Sequence, residues 1–472
     1  MDRTSKLYKV KTVFVMVLAC VVIAQAQTPA VDSAAIPAPP IPVVNMPPKV
    51  DAVYQVRPLA GGPAVLKLTE WDGSQSSSAG ISNTGLSYDV DMKVGPLSGK
   101  IYMFYVVRSG TAGTFPVYLD IRSSISTSLG VYQFPLPPTG LTIKSLAIAV
   151  RPVGTTEEVH AIVLAETATQ ARVYYSRLTA TGWTPNIIAY QVLKNSKRFG
   201  TNAKMEFFSP TSTEVMITYP EIGPTVNGTF GNIVTWKFNT TTLASFSPPA
   251  IPFLRTPVTN NQVWGGEIFN SIIPRAEPMD FMTDPGTGNT VIAAVPAITV
   301  SHQYPEAGIN VYSGNSLTNM SLVRTILNTA GPWGSGALTL AQSGNQKIFK
   351  LVTLEQGTNP GFIQMGLGGK EIKIYTSPQG TVAPTPQLID GTLTGPPYFT
   401  YPAVTTLPRY NETYAGVIYD NNGASVSCSG ALILLCHQVR LYSFNGASWS
   451  HVKLDSAPTA THKIEKLKIT SR

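Results

Sequence analysis

Leu441-Tyr442-Ser443-Phe444-Asn445-Gly446-Ala447-Ser448-Trp449 reads as an apolar strand ending in an aromatic, a polar residue, a tight turn and a Trp that opens another strand. Asn-Gly supplies the backbone conformations a short hairpin needs, so two antiparallel strands meet here. An apolar strand ending in an aromatic recurs upstream at Val117-Tyr118-Leu119-Asp120, Tyr174-Tyr175-Ser176, Thr235-Trp236-Lys237, Val311-Tyr312-Ser313 and Ile374-Tyr375-Thr376, and in all but the first a small or charged polar residue comes next. The marked aromatics stand at 118, 175, 236, 312, 375 and 442, spaced by 57 to 76 residues. Such spacing describes one supersecondary unit repeated with insertions.

Each unit contains the same strand types. Candidate inner strands are Ser87–Val94, Lys144–Val150, Lys204–Phe208, Met279–Thr283, Ala337–Ala341 and Phe399–Thr406. Strongly apolar second strands follow at Ile101–Val107, Val159–Ala165, Val215–Tyr219, Val291–Val295, Ile348–Leu354 and Tyr414–Tyr419. The marked strand and a final strand complete four antiparallel strands per unit, which predicts an all-β chain folded as a β-propeller of six blades, with seven as the alternative. The segments Val53–Val56 and Val65–Leu68 precede the first full unit and either close the ring against the last blade or belong to a degenerate seventh. The turn from Ser443 to Trp449 is similar to the Asp-box turn of sialidase-type propellers, but it lacks the Asp and is one residue short before the Gly. That resemblance implies a fold and not an activity. Trp183 and Trp449 read as aromatics packed between sheets.

Four stretches divide the chain. Residues 1–26 carry Arg3, Lys6, Lys9 and Lys11, the apolar run from Val13 to Ala24 and a small-residue end, the layout of a cleaved secretory signal. Residues 27–50 form a Pro-rich linker, 51–458 the propeller, and 459–472 a basic C-terminal tail. The formal charge is +8 for the whole chain, but the signal and the tail carry most of it, so no nucleic-acid groove is expected. The apolar run is too short to span a bilayer, and no membrane span is expected. A secreted protein, extracellular or associated with a cell wall, follows. Its remaining cysteines, Cys428 and Cys436, are expected to form one disulfide. Sequons at Asn227, Asn239, Asn319 and Asn411 fit a glycoprotein. The oligomeric state is not fixed by these features.

In an up-and-down propeller, the loops between second and third strands share one face with the linkers joining blades; the hairpin turns occupy the other. The long insertions Ile298–Gly308, Gln356–Lys370, Asn421–Gln438 and the linker from Ser247 to Pro278 all fall on this linker face. Its notable side chains are Arg255, Trp264, Glu267, Arg275, His302, Tyr304 and Phe362. Aromatic rings beside Arg and Glu suit a sugar, whose apolar face lies on the ring while charged groups take its hydroxyls. Carboxylates on or near inner strands are Asp89, Asp91, Glu206, Glu277, Asp280 and Asp284. A glycosidase needs two of them facing each other; carboxylates solvated in the channel are the plainer reading. Nucleophile elbows, metal-ligand pairs and phosphate loops do not occur, and the balance leans against an enzyme. Asp284-Pro285-Gly286-Thr287-Gly288-Asn289 and Asp420-Asn421-Asn422-Gly423 look oxygen-rich but read as turns, so neither calcium nor another metal or cofactor is expected. The leading expectation is lectin-like recognition of carbohydrate or another extracellular surface. A polysaccharide hydrolase or lyase and a structural wall or coat protein are its alternatives.

Overall fold

The computed structural model describes residues 48–58, 64–82, 89–107, 115–138, 140–193, 198–199, 203–207, 211–222, 231–243, 250–253, 279–283, 290–299, 306–314, 320–327, 335–343, 346–355, 371–378, 386–391, 398–407, 412–420, 437–444, 447–457 and 462–472. Every regular element among them is a strand, and no helix long and apolar enough to cross a membrane is present among them. The signal and the Pro-rich linker lie outside the described residues, apart from the linker's last three residues.

The strands form seven antiparallel sheets. The first takes β1 (Val50–Pro58), β2 (Val65–Trp71) and β3 (Ser76–Ser82); the second, β4 (Val90–Val94), β5 (Ile101–Val106), β6 (Val117–Arg122) and β7 (Ser128–Gln133). The third holds β8 (Thr142–Val153), β9 (Thr156–Glu166), β10 (Gln170–Thr179), the short β11 (Gly182–Trp183) and β12 (Ile187–Leu193). In the fourth are β13 (Arg198–Phe199), β14 (Lys204–Phe207), β15 (Glu214–Ile222), β16 (Gly231–Asn239) and β17 (Ala250–Phe253). The fifth comprises β18 (Met279–Thr283), β19 (Thr290–Thr299), β20 (Glu306–Gly314) and β21 (Met320–Leu327); the sixth, β22 (Ser335–Ser343), β23 (Gln346–Glu355), β24 (Glu371–Pro378) and β25 (Gln387–Asp390). The seventh is built from β26 (Tyr398–Leu407), β27 (Glu412–Asp420), β28 (His437–Phe444) and β29 (Trp449–Ser456), after which β30 (His462–Ser471) returns to the first sheet as the neighbour of β1.

The innermost strands β30, β4, β8, β14, β18, β22 and β26 pack each beside the next, and β26 packs beside β30, which closes a ring. This is a β-propeller. Among the described residues it has seven sheets, the count held as the alternative to six, because the N-terminal strands and β30 build a sheet with no marked aromatic of its own. The tail expected at 459–472 is corrected accordingly: its lysines alternate with Ile464 and Leu467, both buried, and β30 pairs with β1 from Val50↔Ser471 to Pro58↔His462.

The apolar run of β9 forms a strand because both of its faces are covered. Val159, Ala161 and Val163 of β9 pack with Phe104, Leu119 and Phe134 of the second sheet and its exit. Ile162 and Leu164 pack with Met205, Ile217 and Phe238 of the fourth. A continuous apolar run is what a doubly buried strand requires. Of the marked aromatics, Tyr175, Tyr375 and Tyr442 are buried, as is Tyr174 beside Tyr175. Trp183 lies 5.2 Å from Phe134 and Trp449 5.3 Å from Phe444, each packed against a core cluster.

Candidate functional site

Inner strands start at the linker face, and their inward edges lack a pairing strand. In the second, third and fourth sheets side chains satisfy those free amides. Asp91 Oδ2 accepts from Ile148 N at 2.9 Å, and Asp89 Oδ2 from Leu146 N at 3.2 Å and Ser145 Oγ at 2.6 Å. Ser145 Oγ in turn accepts from Ala203 N at 2.7 Å, so one relay joins three consecutive sheets. A register shift between Ile143 and Ser145 marks the irregularity that accompanies this side chain. Asp89, Asp91 and Ser145 are all buried.

Other carboxylates on this side are also engaged. Glu206 of β14 stands 3.5 Å from Lys93 of β4, an ion pair that reaches past β8 between sheets that are not neighbours. Glu166, at the end of β9, accepts from Phe199 N at 3.1 Å and lies 3.9 Å from Lys144 Nζ. At the root of segment 356–370, Glu355 and Glu371 face each other across the ladder and share Lys373 Nζ at 2.7 and 2.8 Å. Glu355 also accepts from Thr353 and from Tyr375.

Hairpin-face contacts tie neighbouring sheets. Glu157 accepts from the amides of Leu97 and Ser98, from Ser98 Oγ and from Tyr102 OH. Next to it Glu158 bonds Arg151 and His160, and Arg151 reaches the carbonyl of Ser212 in the fourth sheet. The His160 hydrogen bond, ahead of Arg151, holds the Glu158 carboxyl down at about 2. Burial keeps the His160 pKa below its usual value, and its Nδ1 lies 2.6 Å from Tyr175 OH.

Of the residues expected to bind a ligand, Arg255, Trp264, Glu267, Arg275, His302, Tyr304 and Phe362 all lie outside the described residues. So do Glu277, Asp284, Cys428, Cys436, Asn227, Asn319 and Asn411. Asp280 is on β18, opposite Ala293. Asn239 ends β16, and its Oδ1 accepts from Thr241 N and Thr242 N in the hairpin-face turn. The insertion expected at Ile298–Gly308 is narrower than its limits, because β19 and β20 pair through Ile298↔Ala307 and Thr299↔Glu306. Asp89 and Asp91 tie strands together and are not simply solvated in the channel. Their partners are backbone amides of another sheet, which leave no residue-type signal. Among the described residues no three His, Cys, Asp or Glu side chains gather as a metal site.

No protein-family model matches the chain, and no curated protein is similar to it. Solved structures are. The β-propeller domain of the trilobed protease from Pyrococcus furiosus aligns with 80% of this chain and 98% of its own, at 8% identity and a TM-score of 0.35. The α-L-arabinofuranosidase of Fusarium graminearum in complex with arabinobiose aligns over 69% and 93%, at 10% identity and a TM-score of 0.39. For the Bombyx mori β-fructofuranosidase the shares are 82% and 91%, with 10% identity and a TM-score of 0.37. At such identities the likeness concerns the fold alone.

Proposed function

We propose that the protein acts on carbohydrate at its linker face, and that hydrolysis of a polysaccharide is the first reading to test. The supporting observation is where the chain spends its irregular length. Segments 254–278, 356–370 and 421–436, the longest between strands of the ring, all connect at the linker face. Strand ends on the other face are joined by short turns such as 154–155 and 344–345. Long connections around one mouth of a rigid scaffold are where binding residues accumulate.

Hydrolysis needs a free pair of carboxylates. Asp89, Asp91 and Glu206 are engaged in ties and an ion pair, which leaves Glu277 and Asp280 as the inner-strand candidates toward the linker face, since Asp284 follows the hairpin-face end of β18. Carbohydrate-acting enzymes, the arabinofuranosidase and the β-fructofuranosidase, are among the propellers of similar fold. The second reading is lectin-like binding through Arg255, Trp264, Glu267, Arg275, His302, Tyr304 and Phe362, for which no carboxylate pair is required. In both readings the protein is a secreted glycoprotein with the Cys428–Cys436 disulfide.

Incubation of the purified protein with a polysaccharide panel separates them. Release of reducing sugar that is abolished in Asp280→Asn, with binding retained, supports hydrolysis. Selective retention without product supports the lectin reading, and neither outcome with any polysaccharide removes both.

A further inference from the structure

On the carbohydrate reading, on which this rests, we infer that the ligand is an acidic polysaccharide, and that Arg440, Lys453 and His451 bind its carboxylate or sulfate groups along the flank of the seventh sheet. β28 begins next to segment 421–436 at the linker face, and β29 ends at that face. Pairing sets Arg440 opposite Lys453 and Tyr442 opposite His451. All four side chains therefore share one side of the sheet, the side on which Tyr442 packs with Ile374 and Ile389 of the sixth.

Two cations directly opposed across a ladder repel each other. Among the described residues neither Arg440 nor Lys453 has an ion pair to offset this. Arg440 donates Nε–H to Gln438 Oε1 at 3.2 Å, and its guanidinium lies 3.7 Å from the centre of the Tyr419 ring. Asp390 of β25, which approaches from the sixth sheet, accepts from Tyr442 OH at 2.6 Å. Lys453 and His451 are exposed.

Other sheets avoid this arrangement. Arg122 pairs with Asp120, Arg151 with Glu158 and Arg472 with Asp51. Lys373, two residues before its marked tyrosine as Arg440 is, lies between Glu355 and Glu371. Arg172 of β10 repeats the setting of Arg440, bonded to Gln170 and Tyr174, but the residue opposite it on β12 is the neutral Gln191. Packing in a seam thus needs no second cation.

An anion supplies what the seventh sheet lacks. Opposed residues have Cβ atoms about 5 Å apart, so a guanidinium held flat by a tyrosine ring and a mobile ammonium can close on one carboxylate or sulfate. His451, one pair further along the ladder, offers an N–H to the next anionic group.

Calorimetric titration of the full chain with oligogalacturonate, dextran sulfate, a neutral polysaccharide panel and a DNA oligomer tests this. One of the two acidic polymers should bind more tightly than any neutral one, and which of them does tells carboxylate from sulfate. Lys453→Glu, which gives Arg440 an ion-pair partner in the ladder, should weaken that binding by about tenfold or more, while the melting temperature holds or rises. Unchanged affinity in Lys453→Glu, or equal affinity for the DNA oligomer, overturns the inference. Binding or cleavage of a neutral polysaccharide with neither acidic polymer bound overturns it and leaves the carbohydrate reading standing; no binding of any carbohydrate removes both.

Discussion

Glu157 shows how one side chain can close a seam. Its carboxylate takes four donors from the β4–β5 turn and from Tyr102, and it sits so close to Gly95 that a Cβ there would lie 2.4 Å from both carboxylate oxygens. Gly95→Ala therefore has to displace the carboxylate, and Glu157→Ala should cost about 1–3 kcal/mol by leaving turn amides to water. The two losses should not add: in urea denaturation Gly95→Ala should be milder in the Glu157→Ala background than in the wild type. Additive losses would mean that the two residues do not meet.

His160 gives a second test at this scale. It is fully buried among Glu158, Arg151, Arg177, Tyr175 and Phe207, and its pKa lies below the ordinary imidazole value because of that burial. A depressed imidazole contributes stability above pH ~6.5 that is lost as the pH falls through the folded-state value. Melting temperatures between pH 7.5 and 5.5 should fall more steeply for the wild type than for His160→Gln. Asp51 acts with the opposite sign over part of this range, so the difference between the two proteins isolates His160.

At the level of elements, β30 decides whether the ring closes. Arg472, just beyond its end, pairs with the buried Asp51 of β1 at 2.8 Å, bonds Glu70 of β2, and reaches Ser123 O of the second sheet at 3.2 Å. Burial, opposed by Arg472, lifts the Asp51 pKa to about 6. Arg472→Ala strands that carboxylate without its main cation, at a cost of about 3–5 kcal/mol near neutral pH. The raised pKa sets the pH dependence. Asp51 protonates as the pH drops through about 6, so the penalty should shrink in acid. Guanidinium denaturation at pH 8 and pH 5 checks both size and direction. A penalty that grows in acid would contradict the clasp.

The same elements show what can be read from sequence. β5, β9, β15, β23 and β27 announce themselves because burial on both faces requires an apolar run, and Tyr175, Tyr375 and Tyr442 because each is buried. β30 does not. Its Lys-Ile-Glu-Lys-Leu-Lys composition resembles a solvated terminus, although alternation puts Ile464 and Leu467 inside. β3, rich in Ser and Gly, has little strand propensity and is held by pairing with β2. The rim ties escape detection for another reason: Asp89 and Asp91 bond amides some 57 residues away, a relation set by the ring and not by local pattern.

For the whole molecule, the propeller separates a linker face with long connections from a hairpin face of short turns, and the proposed carbohydrate action belongs to the first. Hydrogen exchange of the full chain, with and without the polysaccharide that binds or is cleaved best, tests this most directly. Added protection is expected in 254–278, 356–370 and 421–436, with 95–100, 154–155 and 344–345 unchanged. Protection confined to those hairpin turns would contradict it.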